Sequence, residues 1–465
     1  MKKQNILKIT LSTAVLIAAV LFTGCQRNPF FERSAPKISF DISNAEAIAG
    51  LEGTANRSAR AADSNALLQR IFEDGTVDSA MDINGKSLEK QMSYIDYVIL
   101  PPDNVDSNEV YLLLKDYSYV KTTLIDTGNY WALSPLLCIH EDNSYDDVLL
   151  SSPYVKSFPY VIEYKETIQF LKDGTLLYLC RSPVGDHFYL KKWNPKTKET
   201  TDICSIQRTD DLEFINIDRF SIDKTEDYVY MHVDTVKTDG TGSKNIKIIR
   251  ISDPSFSKEI QDVTGWCYNP HDDHFYYSKY YNAESASGLY KSNKDGSNPT
   301  RLHSEMFAHL IPQSAQKVWG LNGHTDEDYS LQNICSEQTS NEMTGTLAFS
   351  EQFHYSAPEY HYFWGDYIII NSNLYLKHSH DLDGMGSHKD SIISIPLNGT
   401  DSDIKNLLAF NTNINLHSWS VNKNYLFISG TDYETKEPVN CRIDLKTGEQ
   451  LTIQSDEAFG AIAAL

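Results

Sequence analysis

"GLYKSNKDGSNPTRL" occupies residues 288–302. An alternating run meets an Asp-Gly turn, and a second run ends in Arg-Leu. Taken alone, its Gly-Ser-Asn-Pro reads either as a loop that holds a ligand or as the corner of a hairpin. Other stretches of the chain share its form. "FYLKKWNPKTKETTDI" (188–203), "IKIIRISDPSFSKEIQDV" (246–263), "SIISIPLNGTDSDIKNL" (391–407) and "VNCRIDLKTGEQLTI" (439–453) each place an alternating strand before a turn and a second strand after it. Such turns need residues that accept positive φ or preset φ, which gathers Gly, Asn, Asp and Pro there. A further copy around "NEMTGTLAFS" (341–350) is degenerate. The family of copies favours the hairpin corner.

A second hairpin precedes each of these. Examples are "TIQFLKDGTLLYLC" (167–180), "FSIDKTEDYVYMHV" (220–233), "GWCYNPHDDHFYYS" (265–278), "LIPQSAQKVWGLN" (310–322), "HYFWGDYIIINS" (361–372) and "SWSVNKNYLFISG" (418–430). Their turns recur every 44 to 58 residues. Two hairpins per period make four antiparallel strands, the content of one β-propeller blade. Six blades fit between about residues 162 and 453, and "YVILPPDNVDSNEVYLLLKD" (97–116) with "TTLIDTGNYWALSPLLCIHED" (122–142) supplies a seventh. The hairpin "ALLQRIFEDGTVDSAMDI" (66–83) is expected to pair with the last blade and close the ring. The expected fold is therefore all-β, a single β-propeller of seven four-stranded blades, with six or eight as alternatives, over residues 64–465.

Within the opening stretch, Leu289, Tyr290, Asp295, Gly296, Ser297, Arg301 and Leu302 resemble the outer hairpin of TolB-like, WD-repeat-like propeller domains. Similar domains of unknown function occur in bacterial lipoproteins. The resemblance implies fold and brings no catalytic residues with it.

The chain opens "MKKQNILKITLSTAVLIAAVLFTGC". Lys2 and Lys3 precede an apolar run from Leu11 to Phe22, shorter than the roughly 20 residues of a spanning helix. It reads as a signal peptide over residues 1–24. "LFTGC" (21–25) resembles a bacterial lipobox, which implies lipidation of Cys25. Residues 25–63, rich in Ala, Gly, Ser and Asn from about Ser43, read as a lipidated tether, with "KISFDIS" as a short strand within it. The protein is thus expected to be exported and held by its lipid on the outer membrane or cell surface, with no other membrane contact.

A net charge of −22 argues against nucleic acid, whose binding is dominated by cationic contacts to phosphate. Besides Cys25 there are Cys138, Cys180, Cys204, Cys267, Cys335 and Cys441, scattered without a CxxC. Export permits disulfides, but cysteines set in β-rich runs read as buried thiols. Cys180–Cys204 is the pair to test first.

Several polar clusters are candidates for chemistry. In "KHSHDLDGMGSHKD" (377–390), His378, His380, Asp381, Asp383 and His388 offer nitrogen and carboxylate ligands suited to a divalent metal. A solvated loop is the simpler reading. "YNPHDDHFYY" (268–277) sets His271, Asp272, Asp273 and His274 at a hairpin tip, where turn geometry alone selects such residues. "NGHTDEDYS" (322–330) is an acidic loop. The aromatic runs "FYYSKYYN" (275–282) and "HYSAPEYHYFWGDY" (354–367) suit either inter-blade core or a sugar- or peptide-binding face. No nucleophile elbow, P-loop or dinucleotide motif is present, so no catalytic residue is assigned. The expected role is a monomeric binding or scaffolding module for a protein or glycan partner of the cell envelope. The alternative is an envelope hydrolase or lyase with its site at the central channel.

Overall fold

The computed structural model describes residues 45–51, 67–78, 81–82, 93–101, 109–116, 136–139, 145–148, 162, 165–182, 186–280, 286–304, 306–307, 309–315, 317–322, 330–335, 346–348, 361–370, 373–381, 388–396, 405–408, 414–455 and 457–465. They form an all-β propeller of eight four-stranded antiparallel sheets. Strands β1 (Ala47–Leu51), β2 (Leu67–Ile71) and β3 (Met81–Asp82) begin blade 1. Blade 2 holds β4 (Ser93–Ile99), β5 (Val110–Asp116), β6 (Leu136–Ile139) and β7 (Tyr145–Asp147). Blade 3 holds β8 (Ile168–Phe170), β9 (Leu176–Arg181), β10 (His187–Asn194) and β11 (Glu199–Gln207). Blade 4 runs β12 (Leu212–Ile222), β13 (Tyr228–Lys237), β14 (Gly242–Arg250) and β15 (Ser257–Ile260). Blade 5 runs β16 (Val263–Asn269), β17 (His274–Lys279), β18 (Gly288–Asn293) and β19 (Thr300–His303). Blade 6 has β20 (His309–Ser314), β21 (Lys317–Asn322), β22 (Ser330–Cys335) and β23 (Thr346–Ala348). Blade 7 has β24 (His361–Ile370), β25 (Asn373–Asp381), β26 (His388–Pro396) and β27 (Lys405–Leu408). Blade 8 has β28 (Ile414–Val421), β29 (Tyr425–Asp432), β30 (Pro438–Asp444) and β31 (Gln450–Thr452). The last strand, β32 (Phe459–Ala464), returns to pair with β1 and completes blade 1.

The blade number is therefore eight rather than seven. The hairpin at 66–83 does not join the last blade, whose four strands are all its own. It pairs with β1, which lies inside the stretch read as tether, and β1 pairs with β32. Both missed strands are built from small residues, "AIAGL" and "FGAIAA". Ala47, Ala49, Ala461 and Ala463 are buried, because β32 is an inner strand flanked by β28 of one blade and β4 of the next.

Alternation along each strand sends side chains to the two neighbouring blades in turn. Tyr290 joins the cluster between blades 4 and 5, with Tyr230, Ile246, Trp266 and Phe275. Its neighbour Leu289 joins the cluster between blades 5 and 6, with Phe307, Leu310 and Val318. The Tyr230 and Phe275 rings stack with centroids 4.6 Å apart. At the turn, Asp295 accepts a hydrogen bond from the Ser297 amide (2.8 Å) and Gly296 takes φ +74°. Lys258 of blade 4 donates to the Gly296 carbonyl at 2.5 Å. The opening stretch is thus a hairpin corner docked on its neighbour.

The cysteines follow the same alternation. Cys180 lies opposite Tyr189 and Cys204 opposite Leu190, so they stand on opposite faces of one sheet. They pack into different inter-blade clusters, and no disulfide joins them. None of Cys138, Cys180, Cys204, Cys267 and Cys441 is in a disulfide. Burial pushes the Cys180 and Cys441 thiols up to about 12, which leaves them poor nucleophiles. Among the described residues no helix is long and apolar enough to cross a membrane.

Buried turn carboxylates tie blades together. Asp223 accepts amide hydrogen bonds from Asp227 and Tyr228, each 2.8 Å, and Lys294 of blade 5 reaches it at 3.1 Å. Burial opposes its charge, but these bonds and the one from Thr225 outweigh that and hold its carboxyl below the usual range. A folded-state value below the unfolded one means stability that is present above about pH 4 and is lost as pH falls through the folded value. Asp223→Asn is expected to cost about 1–3 kcal/mol at pH 7. It should also flatten the acid limb of stability, read by urea unfolding between pH 3 and 7; an unchanged limb refutes this account.

Candidate functional site

Seven of the eight inner strands slip register against their partners, β8 being the exception. The extra residue is Asp96 in β4, Asp218 in β12, Thr264 in β16, Gln313 in β20, His417 in β28 and Gly460 in β32, while β24 inserts more than one around Gly365. A bulge re-aims a side chain and is found near functional sites. Most of the inserted residues are polar, including a second one in β12, Glu213, and they lie on the inner strands.

Blade 4 develops this pattern furthest. The Asp218 bulge sets its carboxylate against His232 of β13, with Oδ1 2.8 Å from Nδ1. A carboxylate only accepts, so Nδ1 carries the proton, and in the neutral ring Nε2 keeps the lone pair. Nε2 faces Asp234 Oδ1 at 3.7 Å, too far for a hydrogen bond. The three ligand-type atoms of Asp218, His232 and Asp234 lie within 4.8 Å of one another. His232 is buried and the two carboxylates half-buried. Burial would raise Asp218, but the hydrogen bond and charge of His232 and the charge of Arg219 hold it below the usual carboxylate range.

Arg219, one residue past the bulge, lays its guanidinium over the Trp266 ring of blade 5, 5.4 Å from the centroid. Blade 5 has Gly265 in the corresponding place after its own bulge, so no side chain rises there. Burial, then the charges of Arg219 and Lys244, lower His309 at the start of β20 to about 4. Its imidazole is neutral at physiological pH. Asp234 Oδ1, Arg219 Nε and Trp266 Nε1 are buried without a hydrogen-bond partner, an arrangement expected to be filled by water or a ligand. Asp218, Arg219, His232 and Trp266 lie in the middle parts of their strands, and His309 opens β20. Phe214, near the start of β12, and Tyr280, whose amide bonds the Asp262 carbonyl just before β16, are 50% and 57% exposed at the end where inner strands begin, the leading face.

No known family model matches the chain, and no curated protein matches it. Solved structures do. A Pyrococcus horikoshii acylaminoacyl peptidase is similar at 10% identity and TM-score 0.47, over 78% of this chain and 52% of that one. The β-propeller domain of the trilobed protease from Pyrococcus furiosus is similar at 9% identity and TM-score 0.42, over 78% of this chain and 98% of that domain. A prolyl endopeptidase structure gives 11% identity and TM-score 0.41, over 61% and 42%. This chain spans about half the length of the peptidases it resembles. At such identities no residue role passes from them to it.

The sequence candidates fare differently. In the register of β25 with β26, His378 pairs with Ser391 and His380 with Lys389. Asp381 and His388 pair with each other. Asp383 and Cys25 lie outside the described residues, as does most of the acidic loop at 322–330. Around His271, the turn is committed to its own structure. Asp273 takes φ +60° and accepts from the Tyr268 hydroxyl at 2.7 Å, and Asp272 accepts from the Tyr276 hydroxyl at 2.7 Å and from Lys291 at 3.0 Å. Of the run at 275–282, Phe275, Tyr276 and Tyr277 are inter-blade core and Tyr280 is exposed. The Asp218, His232 and Asp234 cluster was not among the candidates. Its signal was the His-x-Asp pair in "YMHVDTV" (230–236), two apart on a strand and therefore on one face.

Proposed function

We propose that this protein is a lipid-anchored module of the bacterial cell envelope that binds a glycan or protein partner at the leading face of its TolB-like propeller. The observation that carries this reading is the convergence of Asp218, His232, Asp234 and Arg219 in blade 4, whose inner strand β12 also carries the exposed Phe214 nearer its start. Planar hydrogen-bonding groups on a blade that also exposes an aromatic suit recognition of a polar ligand. The hydrolase or lyase reading has less support from this cluster. Each nitrogen of His232 faces a carboxylate, whereas a general base needs one nitrogen within reach of the proton it removes. Lipid anchoring rests on "LFTGC" and Cys25.

The test pairs location with binding. Cys25→Ala is expected to shift the protein from the membrane to the soluble fraction, and continued membrane association would refute the anchor. The purified chain is expected to bind within a panel of immobilised envelope glycans and cross-linked envelope proteins, and Arg219→Ala and Phe214→Ala should each weaken that binding at least tenfold. Binding that ignores both substitutions overturns the choice of face.

A further inference from the structure

The geometry points to a divalent transition-metal site formed by His232 Nε2 and Asp234 Oδ1, with Asp218 holding the imidazole in place. It rests on the cluster used in the binding reading but not on the partner's identity. Three features support it. First, the Asp218 hydrogen bond to Nδ1 (2.8 Å) fixes the tautomer that leaves Nε2 free to ligate, and a carboxylate behind a ligating histidine is the common arrangement for orienting it. Second, the 3.7 Å between Nε2 and Asp234 Oδ1 is too long for a hydrogen bond. Two metal bonds of about 2.1 Å meeting at tetrahedral or wider angles place their donors about 3.4–3.6 Å apart. Third, that Asp234 oxygen is buried and accepts no hydrogen bond, although a buried acceptor is normally satisfied.

A nitrogen and a carboxylate oxygen together suit Zn2+ or Mn2+ better than Ca2+ or Mg2+, which take all-oxygen shells. Two protein donors leave positions for water or for hydroxyls of a bound partner. The surrounding field is balanced: Arg219 bears on Asp218, and Lys244 lies opposite Asp234 in the register. Two carboxylates against two cations give no net attraction for a dication. The ion is held by its two donors alone, which implies modest rather than tight affinity.

The test is calorimetric titration of the EDTA-treated, dialysed full chain with ZnCl2, MnCl2 and CaCl2, with no glycan present. One Zn2+ or Mn2+ per chain is expected, with little response to Ca2+. Asp234→Asn should abolish binding while circular dichroism stays unchanged, and Asp218→Asn should weaken it about 10–100-fold. The pair His378→Gln with His380→Gln should leave it unaltered. No binding by the parent chain, undiminished binding by Asp234→Asn, or loss on changing His378 and His380 would each overturn the site. A chain that binds metal but no partner leaves this inference standing and removes the binding reading; the reverse result does the opposite.

Discussion

Removal of Phe459–Leu465 is expected to abolish cooperative folding of the propeller. These residues carry β32, the inner strand of blade 1, whose remaining strands come from the other end of the sequence. One edge of β32 pairs with β1. The other meets β28 through side chains: the Ile462 amide donates to Ser418 Oγ at 2.9 Å and the Ala464 amide to Ser420 Oγ at 3.0 Å. The Phe459 amide donates to Ser429 Oγ of β29 at 2.6 Å. Hydroxyls from the neighbouring blade thus satisfy amides that an edge strand would otherwise leave open. Phe459 and Ile462 are buried with Ala47, Ile71, Phe427 and Ile453. Burying each of those two large side chains contributes roughly 1.5–3 kcal/mol, and each hydrogen bond about 1 kcal/mol. The sum is comparable with the whole stability of an ordinary domain, about 5–15 kcal/mol. The shortened chain should melt without a sharp transition and associate through the bared edge of β1. A synthetic peptide of residues 457–465 should restore part of the transition. A shortened chain that stays monomeric and melts like the parent would remove β32 as the closure.

The sequence made the blades legible wherever a strand carries β-branched or aromatic residues and ends in a turn with a fixed chemical requirement. "TLLYLC" and "DYVYMHV" show both features, and both are strands of the expected hairpins. The closing strands gave neither signal. Where β28, β32 and β4 crowd together, alanine and glycine make up most of β32, and Phe459 and Ile462 alone are too few to give it a strand pattern. The site was hidden for another reason. Asp218 reaches His232 only because an extra residue in β12 turns it toward the partner strand, and a bulge has no composition of its own. Half of the site was visible as the His-x-Asp alternation of β13. The other half required the register. The histidines of β25 and β26 depend on register too: they are close in sequence, and only the pairing shows that His388 stands opposite Asp381 while His378 stands opposite Ser391.

Gly288→Ala should be the most damaging conservative substitution in the opening hairpin. Gly288 has φ +141°, and a Cβ placed on it would lie 2.1 Å from the His303 carbonyl oxygen and 2.9 Å from Arg301 Nε. The oxygen belongs to β19, the partner strand of β18, so backbone must move before the methyl fits. Moving it breaks the Leu289–His303 pairing and the Arg301 hydrogen bond to the Ser287 carbonyl at 2.5 Å. Two other glycines of blades 4 and 5 separate the contributions. Gly240, at φ +83°, has nothing within 4 Å of its added Cβ, so alanine there meets only the left-handed backbone cost of about 1–2 kcal/mol. Gly296, at φ +74°, would meet Ile248 Cδ1 at 2.9 Å, the mobile tip of a side chain, and should cost slightly more. Gly288 adds a backbone collision to its unfavourable φ and should cost about 3 kcal/mol or more. Urea midpoints of the three single variants should therefore fall in the order Gly240, Gly296, Gly288, with the largest loss last. If Gly288→Ala proved as mild as Gly240→Ala, the close approach of β18 and β19 would be wrong. The opening hairpin would then be held by its Asp295-Gly296 turn alone.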